Sequence, residues 1–228
     1  MPPYVRRTRG LVSNSRVHSA PGRRMEALGP FLGTWTVMMA AMMLPSATPM
    51  ILLHRLGADG RVRAQLWSAA FVAGYLVVWA SVGIVVWGAG LAAGAIVIPE
   101  QRAVAVAAIL LLAGVYQFSP LKSTCLRACR TPADFLLTHW HRGLSGQLRL
   151  GVEHGLYCLG CCWALMALFV GVGAMSLVWA AGIAVVVLIE KVLPEGVVFG
   201  RITGGLLVVA AAIVLAFPDL AMSVGGSM

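Results

Sequence analysis

Apolar residues run in stretches of roughly membrane length between residues 29 and 217, separated by short polar breaks. A helix needs about twenty consecutive apolar residues to cross a ~30 Å hydrocarbon core. On that measure the pattern predicts about six spans, near residues 29–53, 65–90, 102–119, 150–170, 174–192 and 202–217. Only Gly171-Val172-Gly173 separates the fourth from the fifth, so a helical hairpin is expected to turn there. The architecture predicted is an all-α polytopic membrane bundle over residues 29–217, multi-pass in a bacterial inner or plasma membrane. Residues 1–28 carry arginines but no apolar core, so they read as a disordered tail and not as an ordinary signal peptide. Residues 120–149 form a polar, basic connector holding cysteines and histidines, and residues 218–228 a short C-terminal tail.

Composition sharpens this picture. Of 228 residues, 60% are hydrophobic and 11% charged, whereas a soluble domain would carry about 25% charge. The formal charge of +9 sits in the tail and the loops, where anionic lipid headgroups are its partner; nucleic acid is not expected. Arg55, Arg61 and Arg63, then Lys122, Arg127, Arg130, Arg142 and Arg149, then Lys191 and Arg201 would share one face. The positive-inside rule makes that face, with its connector, cytoplasmic. The arginine-rich tail argues the opposite, and a further span upstream in related chains would resolve the conflict.

Within the first span, M-M-A-A-M-M-L-P-S-A-T-P-M holds five of eleven methionines. At 100° per residue Met38, Met39, Met42, Met43, Ser46 and Met50 fall within an arc of about 140°. Pro45 and Pro49 each remove a helical hydrogen bond, leaving the carbonyls of Ala41 and Pro45 without their usual donors. Ser46 and Thr48 are placed to help. Thioethers on one wall suit a soft cation such as Cu(I); adaptable packing around kinks explains the same residues without a ligand.

The five cysteines fall in two groups. His154, Cys158, Cys161 and Cys162 occupy H-G-L-Y-C-L-G-C-C-W, within about 100° of helical arc, with Met166 one turn further along. Imidazole and thiolates on one face suit Cu(I) or Zn(II), while closely spaced cysteines also suit a dithiol that cycles through a disulfide. Cys125 and Cys129 share one face of a short predicted helix, where Lys122, Arg127 and Arg130 favour thiolate and disfavour a divalent ion. His139, His141, His54 and His18 read as solvated loop histidines. Glu190-Lys191 is either an intramembrane ionic site or a pair snorkelling to the interface. No Walker loop, G-x-S-x-G or H-E-x-x-H occurs.

The blocks M-M-A-A-M-M-L-P-S-A-T-P, G-V-Y-Q-F-S-P-L-K-S-T-C-L-R-A-C-R-T-P and H-G-L-Y-C-L-G-C-C-W-A-L-M, with a late E-K, resemble a bacterial family. It is the family of predicted metal-binding integral membrane proteins, a domain of unknown function with some members described as copper chaperones. The resemblance spans about residues 35–191. It implies copper handling and, before the methionine block, a further hydrophobic segment where this chain has its arginine-rich tail.

The function expected is binding of a soft transition metal for transfer or trafficking, with copper as cargo and zinc the lesser alternative. His154, Cys158, Cys161 and Cys162 would form the main site. Met39, Met42, Met43 and Met166 would form a thioether wall, and Cys125 and Cys129 an accessory pair. Partners would be the bilayer, the metal ion and a metal-donor or metal-acceptor protein. Two alternatives stand beside it: a membrane thiol-disulfide oxidoreductase using Cys125/Cys129 and Cys158/Cys161, and an assembly subunit whose sulfur only packs.

Overall fold

The computed structural model describes residues 21–57, 59–96, 101–171 and 177–217. Among them there are helices and no strands. The helices are α1 (Pro21–Arg55), α2 (Arg61–Ile96), α3 (Arg102–Tyr116), α4 (Pro120–Arg130), α5 (Pro132–His139), α6 (Gly143–Gly171), α7 (Leu177–Val192) and α8 (Gly196–Ala216). The predicted Gly171-Val172-Gly173 turn falls largely outside the described residues, as do the first twenty residues and the C-terminal tail.

Each of the six predicted spans is helical over most of its described residues, but length separates them. Four helical stretches are long and apolar enough to cross a membrane: Ala27–Arg55, Arg61–Ala92, Gly143–Leu168 and Gly196–Ala216. A fifth crossing exists if α3 and α4, bent by 64° between Tyr116 and Pro120, are counted together. The described length of α7 is 16 residues, which falls short.

Sequence explains the breaks in the connector, which is helical for most of its length. Pro120 opens α4 at a position where a missing N–H costs nothing, and Ser119 caps it by accepting from the Lys122 amide at 3.1 Å. Pro132 opens α5 in the same way. In α1 the helix runs unbroken through Pro45 and Pro49. The nearby hydroxyls turn back onto the ladder, Ser46 donating to the Met43 carbonyl at 2.7 Å and Thr48 to that of Leu44 at 3.1 Å. They serve carbonyls one turn or less from the ones the prolines were expected to orphan.

The helix α6 is the axis of the bundle, packed against α2, α3, α4 and α7. Glycine sets the closest approaches. A β-carbon at Gly74 of α2 would collide with the Leu148 carbonyl, and one at Gly151 of α6 with that of Phe71. Gly114 of α3 and Gly204 of α8 face each other in the same manner, and a β-carbon on either would lie 2.9 Å from the other's carbonyl oxygen. Small residues at crossings let apolar helices pack backbone to backbone.

Candidate metal centre

Two helices supply most of the sulfur, and their buried stripes bring it together. On α1 the stripe holds Trp35, Met39, Met42, Met43, Ala47 and Met50. On α6 it holds Gln147, Leu150, His154, Cys158, Cys161, Cys162 and Met166. Met39, Met42, Met43, Cys125, Cys158, Cys161, Cys162 and Met166 all belong to one core cluster, with Cys129 packed on its edge. The methionine block and both cysteine groups, widely separated in sequence, therefore meet in one place.

Cys158 is the centre of that place. It is fully buried, and Cys129 of α4 packs against the cluster that holds it. Tyr75 of α2 sets its hydroxyl 3.0 Å from the Cys158 sulfur. Lys191 of α7 donates to the same sulfur at 3.1 Å and to the Ser46 hydroxyl at 3.0 Å. Cys161 and Cys162 instead turn their thiols back to the Cys158 carbonyl, at 3.1 and 3.0 Å. All five cysteines are free thiols.

A short helix brings Cys129 here. Cys125 and Leu126 face inward on α4 while Leu121, Thr124 and Arg127 face outward. The close approach of α4 to α6 needs Gly160, where a β-carbon would lie 2.6 Å from the Cys125 sulfur. At its other end α4 is fastened by Lys122, which donates to Glu190 of α7 at 2.7 Å and to the Gln117 amide oxygen. Lys122 and Glu190 are 3% and 1% exposed, so this ion pair is internal.

Glu190 and Lys191 were open between an ionic site and snorkelling. Both are buried, and they point to different partners: Glu190 to Lys122, Lys191 to the sulfur centre. His54 was read as a loop histidine, yet it is 0% exposed at the end of α1, bonded through Nε2 to Gln147 at 2.5 Å. His139 stacks on Phe135 with ring centroids 4.3 Å apart, and His141 pairs with Glu153 at 3.3 Å. His18 lies outside the described residues.

His154 is buried one turn before Cys158, but its ring sits among Phe71, Tyr75 and Phe135, and its Nδ1 has no hydrogen-bond partner. The structure thus groups His154 with aromatic rings and gathers the thiols beside it. Among the described residues no three or more His, Cys, Asp or Glu side chains converge as a preformed metal polyhedron. Thiols and thioethers share one buried cluster there, and Lys191 bonds to the Cys158 sulfur.

Residues 32–214 match the PpoB2 family, described as a copper chaperone family. The chain belongs to that family. The matched region takes in the cysteines and methionines of the sulfur cluster and both helices that carry its cysteines. No curated protein and no solved structure matches the chain.

Proposed function

We propose that the protein is embedded in a membrane, binds Cu(I) as cargo at Cys129, Cys158 and Cys161, and passes it to an acceptor. The observation that carries this reading is the approach to Cys158 of an ammonium from α7 and a phenol from α2, with Cys129 of α4 packed against the same cluster. Cuprous ion accepts two or three soft ligands and tolerates an irregular geometry, as this cluster offers. Two or three thiolates around one monovalent ion leave a net negative charge. In a low-dielectric interior that charge needs a partner, and Lys191 supplies it. Cys162 lies one residue from Cys161 with its thiol on the backbone, ready to replace either neighbour as an exchanging ligand.

The thioethers of Met39, Met42, Met43 and Met166 give the cluster a soft wall that discriminates against zinc. A triple Cys158, Cys161 and Cys162 to Ser variant should insert normally and lose most of the copper counted per purified chain. Full retention of copper would overturn the assignment.

The packing of Cys129 against the cluster that holds Cys158 and Cys161 also supports a redox reading. Two thiols there would form one disulfide, passing two electrons and two protons to a partner disulfide that is reduced in the exchange. Thiol titration beside metal counting separates the two. Stoichiometric copper with five reduced thiols supports the carrier; a metal-free chain with a reversible two-electron potential supports the exchanger.

A further inference from the structure

We propose that His54, Met50 and His154 line a transit path that carries Cu(I) from the arginine-bearing end of the bundle to the thiol cluster. This inference rests on the copper reading above and deepens it. It begins with an orphaned lone pair. His54 is fully buried, and its Nε2 faces the side-chain oxygen of Gln147. The orientation of that amide is fixed by its nitrogen, which donates to the His141 carbonyl at 2.6 Å. An amide oxygen only accepts, so Nε2 of a neutral His54 carries the proton and Nδ1 keeps its lone pair. That Nδ1 has no partner. Buried acceptors are ordinarily satisfied, and one that is not asks for a ligand.

The same condition recurs deeper in the bundle. His154 is 2% exposed and its Nδ1 is also without a partner. The two imidazoles share one phenyl ring, Phe71, whose centroid lies 5.6 Å from His54 and 5.7 Å from His154. Met50, 1% exposed, belongs with Phe71 and Phe135 to a second core cluster, and Phe135 is 5.3 Å from His154. Along α6, Gln147 to His154 is a rise of about 10 Å and His154 to Cys158 about 6 Å. The donors therefore form a file with one step per turn or two: imidazole, thioether and imidazole, then thiol.

Both the order and the surroundings suit a soft monovalent ion. The file ends on thiolate, the softest and strongest of these ligands for Cu(I), so net transfer inward is downhill. The rings between donors offer π-faces to a cation that has shed its water. Outside, Trp67 and Trp140 cover His54 with centroids 6.1 and 5.8 Å away. Beside Trp67 a shallow cavity of about 550 Å³ opens to the surface, lined also by Asp59, Arg61 and Leu144.

The test is the rate of loading, since a path residue governs arrival and not capacity. The full chain in detergent, with its thiols reduced, is mixed with the coloured Cu(I)–bicinchoninate complex in a stopped-flow instrument, and bleaching is followed. His54→Gln and, separately, the volume-conserving Met50→Leu should each slow loading at least tenfold. Final copper per chain and the unfolding temperature should match wild type. Unchanged loading rates in a chain that takes up copper would overturn the path and leave the thiol site standing. Loss of copper capacity in step with the rate would also overturn it, making these residues equilibrium ligands. A wild-type chain that bleaches nothing would overturn the copper reading and the path together.

Discussion

Lys191 carries the charge argument at the level of single residues. Its ammonium lies 3.1 Å from the Cys158 sulfur and is buried, so replacing it leaves a thiolate without its counter-charge. Lys191→Met should lower cuprous affinity at least tenfold, an effect of about 1.4 kcal/mol or more, as read by chelator competition. Unchanged affinity would mean that the site is balanced by another group. The methionines invite a different substitution. Leu conserves volume and usually costs under about 1.5 kcal/mol, so replacing Met39, Met42 and Met43 together should leave detergent stability near wild type. Cuprous affinity should drop while zinc binding stays put; equal copper binding in the folded variant would return these side chains to packing. The arcs of Met39, Met43 and Cys158 were legible because helical spacing alone places them on one side. Lys191 and His54 were not, because a polar residue near a helix end reads alike whether it faces water or a neighbouring helix. Only the crossing of α1, α6 and α7 decides.

Among the elements, α4 is the one whose position is least secured by its own sequence. It has 11 residues, too few to hold a helix without packing. The Lys122–Glu190 ion pair ties it to α7, and removing one partner of such a buried pair typically costs about 3–5 kcal/mol. Glu190→Gln should therefore lower the unfolding temperature. In a chain keeping only Cys129 and Cys158, it should also slow diamide-driven disulfide formation between them several-fold. Adding Lys122→Met removes the stranded charge and should restore much of the stability; a double variant no better than the single would show that the ion pair does not act as a unit. The spacing of Cys125 and Cys129 made a short helix at α4 legible and the long apolar runs did the same for the bodies of α1, α2 and α6, whereas α5 and the polar first turns of the long helices were not read. The 64° bend was hidden, since Gln117, Phe118 and Ser119 carry no turn signature as plain as a glycine. That bend is what turns the connector's cysteines inward.

For the whole molecule, packing places the α1–α2 turn and the connector at the same end of the bundle. Trp140 of the connector lies against both His54 and Gly57. The basic residues that the sequence assigned to one face on charge alone therefore include two segments that touch. With that end cytoplasmic, a cysteine introduced at exposed Arg142 in a cysteine-free chain should react with an impermeant maleimide only after the membrane is opened. Labelling in intact cells would reverse the orientation. The number of spans was less legible than their places, because hydropathy marks where apolar runs lie and not whether a helix ends early. That early ending has a consequence for the lipid. The helix α3 has 15 residues and rises only about 22 Å, some 8 Å less than a typical hydrocarbon core. Completing the crossing falls to the bent α4, which carries Thr124 and Arg127 on its outer side. In a bilayer the acyl chains beside α3 would shorten or disorder, and such mismatch carries a cost for every ångström. Reconstitution in lipids of increasing chain length should therefore strain this corner first, read as a falling unfolding temperature, and with it the hinge between α3 and α4.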